Sequence, residues 1–107
     1  MTRHDPARFS ASPKSLGFRM PAEYAPHKRT WMMWPTRVEV WDDIAATRRD
    51  YAAVAHAIRE FEPVTMAVRP ADMAEARAML DGNIDLIEAP IDDSWARDAG
   101  PIFVTHP

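Results

Sequence analysis

The sequence predicts an α/β fold in which strands alternate with helices. Short apolar segments of strand length recur along the chain, stretches with apolar residues at helical spacing lie between them, and proline or capping residues separate the two kinds. The resulting order of strand, helix, strand, helix, strand favours parallel pairing through right-handed crossovers. In such sheets, ligands gather beyond the carboxyl ends of the strands.

The first strand is predicted from an aromatic segment, and the first helix from the apolar residues at helical spacing that follow it. Residues 30–34 are apolar and aromatic and stop at Pro35, which predicts a strand. After a loop at residues 36–41, Asp42 or Asp43 can cap a helix that ends before Pro63. Its apolar positions recur at steps of three, four or seven: Ile44, Tyr51, Val54, Ala55, Ile58 and Phe61. Polar residues predicted to lie off that packing face are Arg48, Arg49, His56 and Glu60.

The remaining elements follow in the same way. A second strand is predicted at Val64–Val68, and a second helix begins near Pro70 and closes at Asp81 and Gly82. Residues 84–88 are predicted to form a third strand and residues 102–105 a fourth. Two segments then fall at carboxyl ends of strands, residues 34–41 and residues 89–100, and these are where we expect a ligand.

Composition sets the domain organisation. The 107 residues fit one small domain. Residues 1–15 mix proline, serine and basic residues with few apolar ones, which predicts a mobile tail, so the folded domain is expected at residues 16–107.

Charge and residue usage exclude several function classes. The net charge of −3 comes from interspersed acidic and basic residues, so we expect no nucleic-acid partner. No apolar stretch is long enough for a bilayer span or a signal peptide, so a cytoplasmic protein without a membrane partner is expected. The absence of cysteine excludes disulfides, thiolate metal sites and a cysteine nucleophile from this chain.

The loop at residues 92–101 carries the clearest functional signal. Asp92, Asp93 and Asp98 place three carboxylates beside Arg97 and the large ring of Trp95. Charged loops are often only solvated surface. Trp95 could equally plug the core while Arg97 pairs with a neighbouring aspartate. In the alternative, Asp98 accepts two hydrogen bonds from a guanidinium group and Trp95 stacks on its face.

The other tryptophans and the histidines have weaker signals. Trp31 and Trp41 are predicted as core residues, whereas Trp34, at the carboxyl end of the first strand, is predicted to wall the pocket. The histidines show no metal-ligand spacing, so no metal site is predicted; they are His4, His27, His56 and His106. The glycines are scattered, which excludes a glycine-rich nucleotide-binding loop.

Four segments make the chain resemble a known family. They are Gly-Phe-Arg-Met-Pro-Ala-Glu at 17–23, Thr-Trp-Met-Met-Trp-Pro at 30–35, Phe-Glu-Pro-Val-Thr-Met at 61–66 and Asp-Asp-Ser-Trp-Ala-Arg-Asp-Ala-Gly-Pro at 92–101. In this order they resemble the opening of the agmatine deiminases and the related bacterial peptidylarginine deiminases. The resemblance covers nearly all of the chain but only the N-terminal part of those enzymes, which are several times longer.

The resemblance implies a partial pentein fold, an α/β propeller of ββαβ repeats. It implies cofactor-free hydrolysis of agmatine to N-carbamoylputrescine and ammonia, a reaction of putrescine biosynthesis. In that family a cysteine attacks the guanidinium carbon, a histidine transfers protons, and water hydrolyses the amidino-thioether intermediate.

The resemblance also assigns roles to residues. Asp98 matches a guanidinium ligand, Trp95 a residue that borders the substrate, and Asp92 and Asp93 an acidic pair that shapes the site. The family's catalytic cysteine and histidine lie downstream, so this chain is expected to hold no catalytic residue and to be inactive alone. Its exposed edge and apolar face are expected to dock the remainder of the fold or a second copy. Two alternatives remain: a deiminase of peptidylarginine or another guanidine, and a non-catalytic module that binds guanidinium or amine cations.

Overall fold

The computed structural model describes residues 11–107. These residues form two compact units, one made of residues 11–26 with residues 101–107 and the other of His27–Gly100. Most of the predicted tail at residues 1–15 lies outside the described residues, so the tail and the 16–107 domain stay predictions.

The larger unit contains a three-stranded parallel sheet. Its strands are β1 (Thr30–Met33), β2 (Val64–Val68) and β3 (Asp85–Glu88), in the order β1-β2-β3. All five residues of the central strand β2 are buried. A continuous buried run is typical of a central parallel strand that is covered on both faces. The predicted α/β class, the three strands and their parallel pairing are confirmed.

Three helices accompany the sheet. Helix α1 (Ile44–Arg59) is capped by Asp43, whose side chain accepts a hydrogen bond of 3.0 Å from the Ala46 backbone N–H. Helix α2 (Met73–Met79) follows a 3₁₀ turn at Pro70–Asp72. Helix α3 (Ala96–Ala99) is a single turn within a segment predicted to be only a loop. Among residues 11–107, no helix is both long and apolar enough to cross a membrane.

The core lies between the sheet and the first two helices. Val64, Met66 and Val68 of β2 are fully buried and pack with Ala55 of α1 and Ala76 of α2. Burying each of the larger β2 side chains stabilises the fold by about 1.5 to 3 kcal/mol. The small side chains of these alanines let both helices approach the sheet closely.

The predicted packing face of α1 is wrong at three positions. Val54 was placed on this face but is 49% exposed. Arg48 was placed off this face but is 6% exposed, and Phe61 was placed on it but is 86% exposed. Arg48 follows Ile44 by four residues and precedes Tyr51 by three, so helical geometry turns it inward with them. Phe61 lies beyond the last residue of α1, where the chain no longer follows the helical spacing.

The predicted fourth strand at residues 102–105 is also wrong. Of these residues only Thr105 pairs, in an isolated antiparallel bridge with Arg19. The Thr105 N–H donates to the Arg19 carbonyl at 2.8 Å, and the Arg19 N–H donates to the Thr105 carbonyl at 2.9 Å. Ile102 and Phe103 are 74% and 59% exposed. An apolar run becomes a strand only when a neighbouring strand accepts and donates along its length.

The smaller unit is built around His106. Its Nε2 lies 3.0 Å from the carbonyl oxygen of Leu16, and its ring centroid is 4.8 Å from that of Phe18. Gly17 has a φ of 92°, and a Cβ there would lie 3.0 Å from the histidine Nε2. The left-handed φ favours glycine at this position, and a Cβ would also crowd the histidine ring.

Candidate functional site

The loop after β3 starts at the carboxyl edge of the sheet, as predicted. The Ala89 N–H donates to the carbonyl of Val68, the last residue of β2, at 3.0 Å. Arg69, the next residue along, donates from Nε to the Ile91 carbonyl at 3.1 Å. The chain entering the acidic segment is thus attached to the end of the central strand.

Trp95 is the N-cap residue of the single helical turn α3, and Asp98 lies within that turn. The Asp98 N–H donates to the Trp95 carbonyl at 3.0 Å, and the Gly100 N–H donates to the Ala96 carbonyl at 2.7 Å. The Trp95 side chain is 66% exposed, and Asp98 is exposed as well. The structure therefore contradicts the alternative in which Trp95 plugs the core.

The residues before this turn shape the loop. Asp92 is exposed, whereas Asp93 is half-buried and its Oδ1 accepts a hydrogen bond of 2.8 Å from the Ser94 N–H. Ser94 is buried, and its Oγ lies 3.2 Å from the hydroxyl oxygen of Tyr51 on α1. The Asp93 carboxylate thus stabilises the local turn, and Ser94 attaches the loop to α1. Arg97, within the turn, is exposed.

Trp34 does not lie on the surface of this site. Its side chain is 0% exposed and belongs to the core cluster. Its backbone N–H donates to the Ala67 carbonyl of β2 at 2.8 Å, so the pairing with β2 continues one residue beyond β1. The Arg48 guanidinium carbon lies 6.0 Å from the indole centroid. The indole has no exposed surface with which to wall a pocket, so the prediction that Trp34 walls the pocket is wrong.

Arg48 ties down the chain that follows β1. Its Nε donates to the Pro35 carbonyl at 3.0 Å, and its guanidinium reaches Glu75 at 2.5 Å and Asp72 at 3.3 Å. The Thr36 hydroxyl donates to the same Asp72 carboxylate at 2.8 Å. One buried cation therefore joins the end of β1 to both helices.

The other predicted ligand segment, residues 34–41, continues after Pro35 as a loop that contains a 3₁₀ turn at Val38–Val40. The Trp41 indole N–H donates to the Thr36 carbonyl at 2.9 Å, and Arg37 adopts a left-handed φ of 60°. A backbone hydrogen bond, followed by one from Arg37, lowers the pKa of the Glu39 carboxyl. This loop presents an ionised carboxylate close in sequence to the carboxyl end of β1.

An apolar groove runs beside the acidic loop. It has a volume of about 280 Å³ and is lined by Trp31, Met32, Met33, Tyr51, Val54, Ser94 and Ala96. Ser94 and Ala96 belong to the acidic loop, and Trp95 lies between them in the sequence. Among residues 11–107, no three histidine, aspartate or glutamate side chains cluster closely enough to hold a metal ion.

Comparison with known proteins identifies the family. The sequence model of the Porphyromonas-type peptidyl-arginine deiminases matches residues 19–107. The chain belongs to this family. It is 48% identical over 99 residues to the agmatine deiminase of Ectopseudomonas mendocina and 47% identical over 97 residues to that of Pseudomonas aeruginosa. These alignments cover 91% and 89% of the chain but only 27% and 26% of the two relatives.

A solved structure of the family agrees with the fold. The agmatine deiminase of Enterococcus faecalis superposes with a TM-score of 0.85 at 36% identity, over 90% of this chain and 27% of that one. The chain thus spans a little over a quarter of the length of the deiminases it matches. The predicted resemblance to this family is confirmed.

Sequence reasoning missed the residues that hold the loops. Tyr51 was predicted only as an apolar packing residue, and Arg48 was predicted to be solvated. The helical spacing of Arg48 with Ile44 and Tyr51 was a usable signal for its burial. The bonds from Tyr51 to Ser94 and from Arg69 to Ile91 join residues far apart in sequence, and no local pattern reports them.

Proposed function

We propose that this chain provides the guanidinium-binding part of an agmatine deiminase. The activity is hydrolysis of the agmatine guanidinium to N-carbamoylputrescine and ammonia, a step that produces a putrescine precursor. The observation that carries the proposal is the exposed pair of Trp95 and Asp98 on one turn at the carboxyl edge of the sheet, in a chain of this family.

The chemistry of the turn suits a guanidinium ligand. The planar cation presents parallel N–H donors that a carboxylate accepts in pairs, which is the role of Asp98. An indole face attracts a cation through its quadrupole, which is the role of Trp95. Asp92 adds a further exposed carboxylate, while Asp93 accepts a hydrogen bond from the loop backbone at Ser94.

Holding the guanidinium in place is a large part of the reaction. Correct orientation of a substrate for attack contributes about 7 to 11 kcal/mol in ideal cases. In the proposed mechanism a thiolate attacks the guanidinium carbon, ammonia leaves, and water then hydrolyses the amidino-thioether to the ureido product. This chain contains no cysteine, so the thiolate of this mechanism would come from polypeptide outside it, where the family resemblance also assigns the proton-transfer histidine.

The proposal includes the rest of the expected assembly. The chain forms part of a pentein propeller of ββαβ repeats, needs no cofactor, acts in the cytoplasm and is inactive alone. The outer strands β1 and β3 and the apolar groove are surfaces at which further repeats or a second copy would pack.

A second substrate is favoured by the family description. The matching family is described by peptidyl-arginine deimination, and a peptidylarginine side chain presents the same guanidinium to Asp98. A non-catalytic module that binds guanidinium or amine cations would use the same two residues.

Turnover tests these alternatives. Ammonia and ureido product are measured from agmatine and from an arginyl peptide, with this chain and with a polypeptide extended to the length of its relatives. We expect product from agmatine with the longer polypeptide only. Asp98→Asn should abolish most turnover, whereas Asp50→Asn, an exposed aspartate on α1, should not. Full activity of the Asp98→Asn variant would refute the assigned role.

A further inference from the structure

We propose that Tyr51 is a positioning residue for the Trp95 and Asp98 turn, acting through Ser94. This inference rests on the proposed function, which makes that turn the guanidinium site. It assigns to α1 a part in substrate binding that its sequence pattern does not indicate.

The direct contact is a hydrogen bond between side chains. The Tyr51 hydroxyl lies 3.2 Å from Ser94 Oγ, and Ser94 is only 8% exposed. Ser94 immediately precedes Trp95, and its carbonyl accepts the Ala96 N–H at 3.0 Å. The bond therefore fixes the residue from which the functional turn starts.

Tyr51 also contacts the other loop at this edge. Its ring meets that of Trp41 in a T-shaped arrangement, with centroids 6.4 Å apart and planes at 80°. Trp41 in turn donates its indole N–H to the Thr36 carbonyl at 2.9 Å. One tyrosine thus connects both segments that follow strand ends to α1.

The hydrogen bond between Tyr51 and Ser94, which we call the tether, complements a second attachment of the loop at Ile91. Arg69 holds the Ile91 carbonyl at 3.1 Å, so the loop is attached to the end of β2 at Ile91 and to α1 at Ser94. Beyond Ser94 the chain enters the short turn that carries Trp95 and Asp98. A turn of four residues has too few internal hydrogen bonds to be stable by itself, so its support decides its order.

The physical consequence is local. Loss of the Tyr51 hydroxyl leaves Ser94 buried without this partner and lets the turn open more often, while the core packing of the ring is kept. Sites held by a well-supported loop bind better than sites that must be ordered by the ligand. We therefore expect both faster opening of the turn and weaker binding of a guanidine.

The experiment measures both quantities on this chain. Amide solvent exchange is followed by NMR at Asp98, Ala99 and Gly100, whose N–H groups bond within the turn. Affinity is measured by titration with agmatine. The variants are Tyr51→Phe, Ser94→Ala and the double variant. Tyr24→Phe removes the same hydroxyl from a side chain that is 94% exposed and serves as the matched control.

The expected result is specific to the turn. Tyr51→Phe and Ser94→Ala should each speed exchange of the three amides about 2- to 10-fold, the usual effect of one lost hydrogen bond, and the double variant no further. Amides of β2 should keep their exchange rates, and agmatine affinity should fall by up to about 10-fold in parallel. The control should match the wild type in both readouts.

Three results separate the possible failures. Unchanged exchange at the turn in Tyr51→Phe overturns the tether. Faster exchange with unchanged agmatine affinity overturns the positioning role. If the wild-type chain binds no guanidine while the variants still loosen the turn, the proposed function is overturned and the tether is supported.

Discussion

Replacing Arg48 with methionine should destabilise the unit His27–Gly100 strongly. The Arg48 side chain is 7% exposed and makes an ion pair with each of two carboxylates as well as a hydrogen bond to a buried carbonyl. Methionine keeps an unbranched apolar chain of similar length, so the volume lost from the core is small. The change therefore removes mainly the charge and its donors.

The magnitude follows from what each partner is left with. The Pro35 carbonyl loses a charged donor, a loss of about 1.5 to 3 kcal/mol. Breaking a fully buried ion pair costs about 3 to 5 kcal/mol. Here Asp72 and Glu75 are 18% and 47% exposed, so water replaces part of the interaction. We expect a net loss of about 2 to 4 kcal/mol in the free energy of unfolding.

Urea denaturation of the 107-residue chain measures this loss. The neighbouring residue Arg49 is exposed on the same helix, so Arg49→Met is the matched control and should change stability by less than about 0.5 kcal/mol. Arg48→Lys keeps the charge but not the planar fork and should fall between the two. If Arg48→Met and Arg49→Met unfold at the same urea concentration, the account of the end of β1 is wrong.

Three further changes test other parts of the fold. Asp43→Ala removes the cap of α1 and should cost about 0.5 to 2 kcal/mol in denaturant unfolding. A hydrogen bond from Thr30, followed by one from His27, lowers the pKa of the Glu62 carboxyl below its usual 4.5. The ionised carboxylate therefore stabilises the fold above pH 4.5, and this stabilisation is lost as the pH falls through the lowered pKa. The excess melting temperature of the wild type over Glu62→Gln should accordingly shrink as the pH is lowered from about 6 to about 3. Gly100→Ala would place a Cβ 2.4 Å from the Ala96 carbonyl oxygen, so the amide resonances of α3 should shift widely in NMR spectra while those of β2 do not.

The sheet and the first two helices were predictable because their signals are local. An apolar run such as Val64–Val68 can be buried on both faces only as a central strand, and the alternation with helical spacing indicates parallel pairing. The position of the acidic loop at the carboxyl edge follows from the same order. The placement of Trp95 and Asp98 in a loop at that edge was therefore predictable, whereas the sequence left open whether Trp95 is exposed or buried.

The remaining features depend on contacts between distant residues. Trp34 was predicted to wall the pocket, but its indole is fully buried in the core cluster. Arg48 was predicted to lie off the packing face, but the carboxylates of Asp72, just before α2, and Glu75, on α2, make its burial favourable. Residues 102–105 have a strand-like composition, but of these four residues only Thr105 makes a strand-type pair. Each outcome was decided by a partner that local sequence does not specify.

The central claim is that a guanidinium group binds against Trp95 and Asp98. Titration of the isotopically labelled chain with agmatine tests it most directly, with putrescine, which has an amine in place of the guanidinium, as the matched ligand. We predict that agmatine shifts the Trp95 indole N–H and the Asp98 amide, that putrescine shifts them less, and that Asp98→Asn removes the difference. Shifts confined to other residues, or equal responses to the two ligands, would contradict the claim.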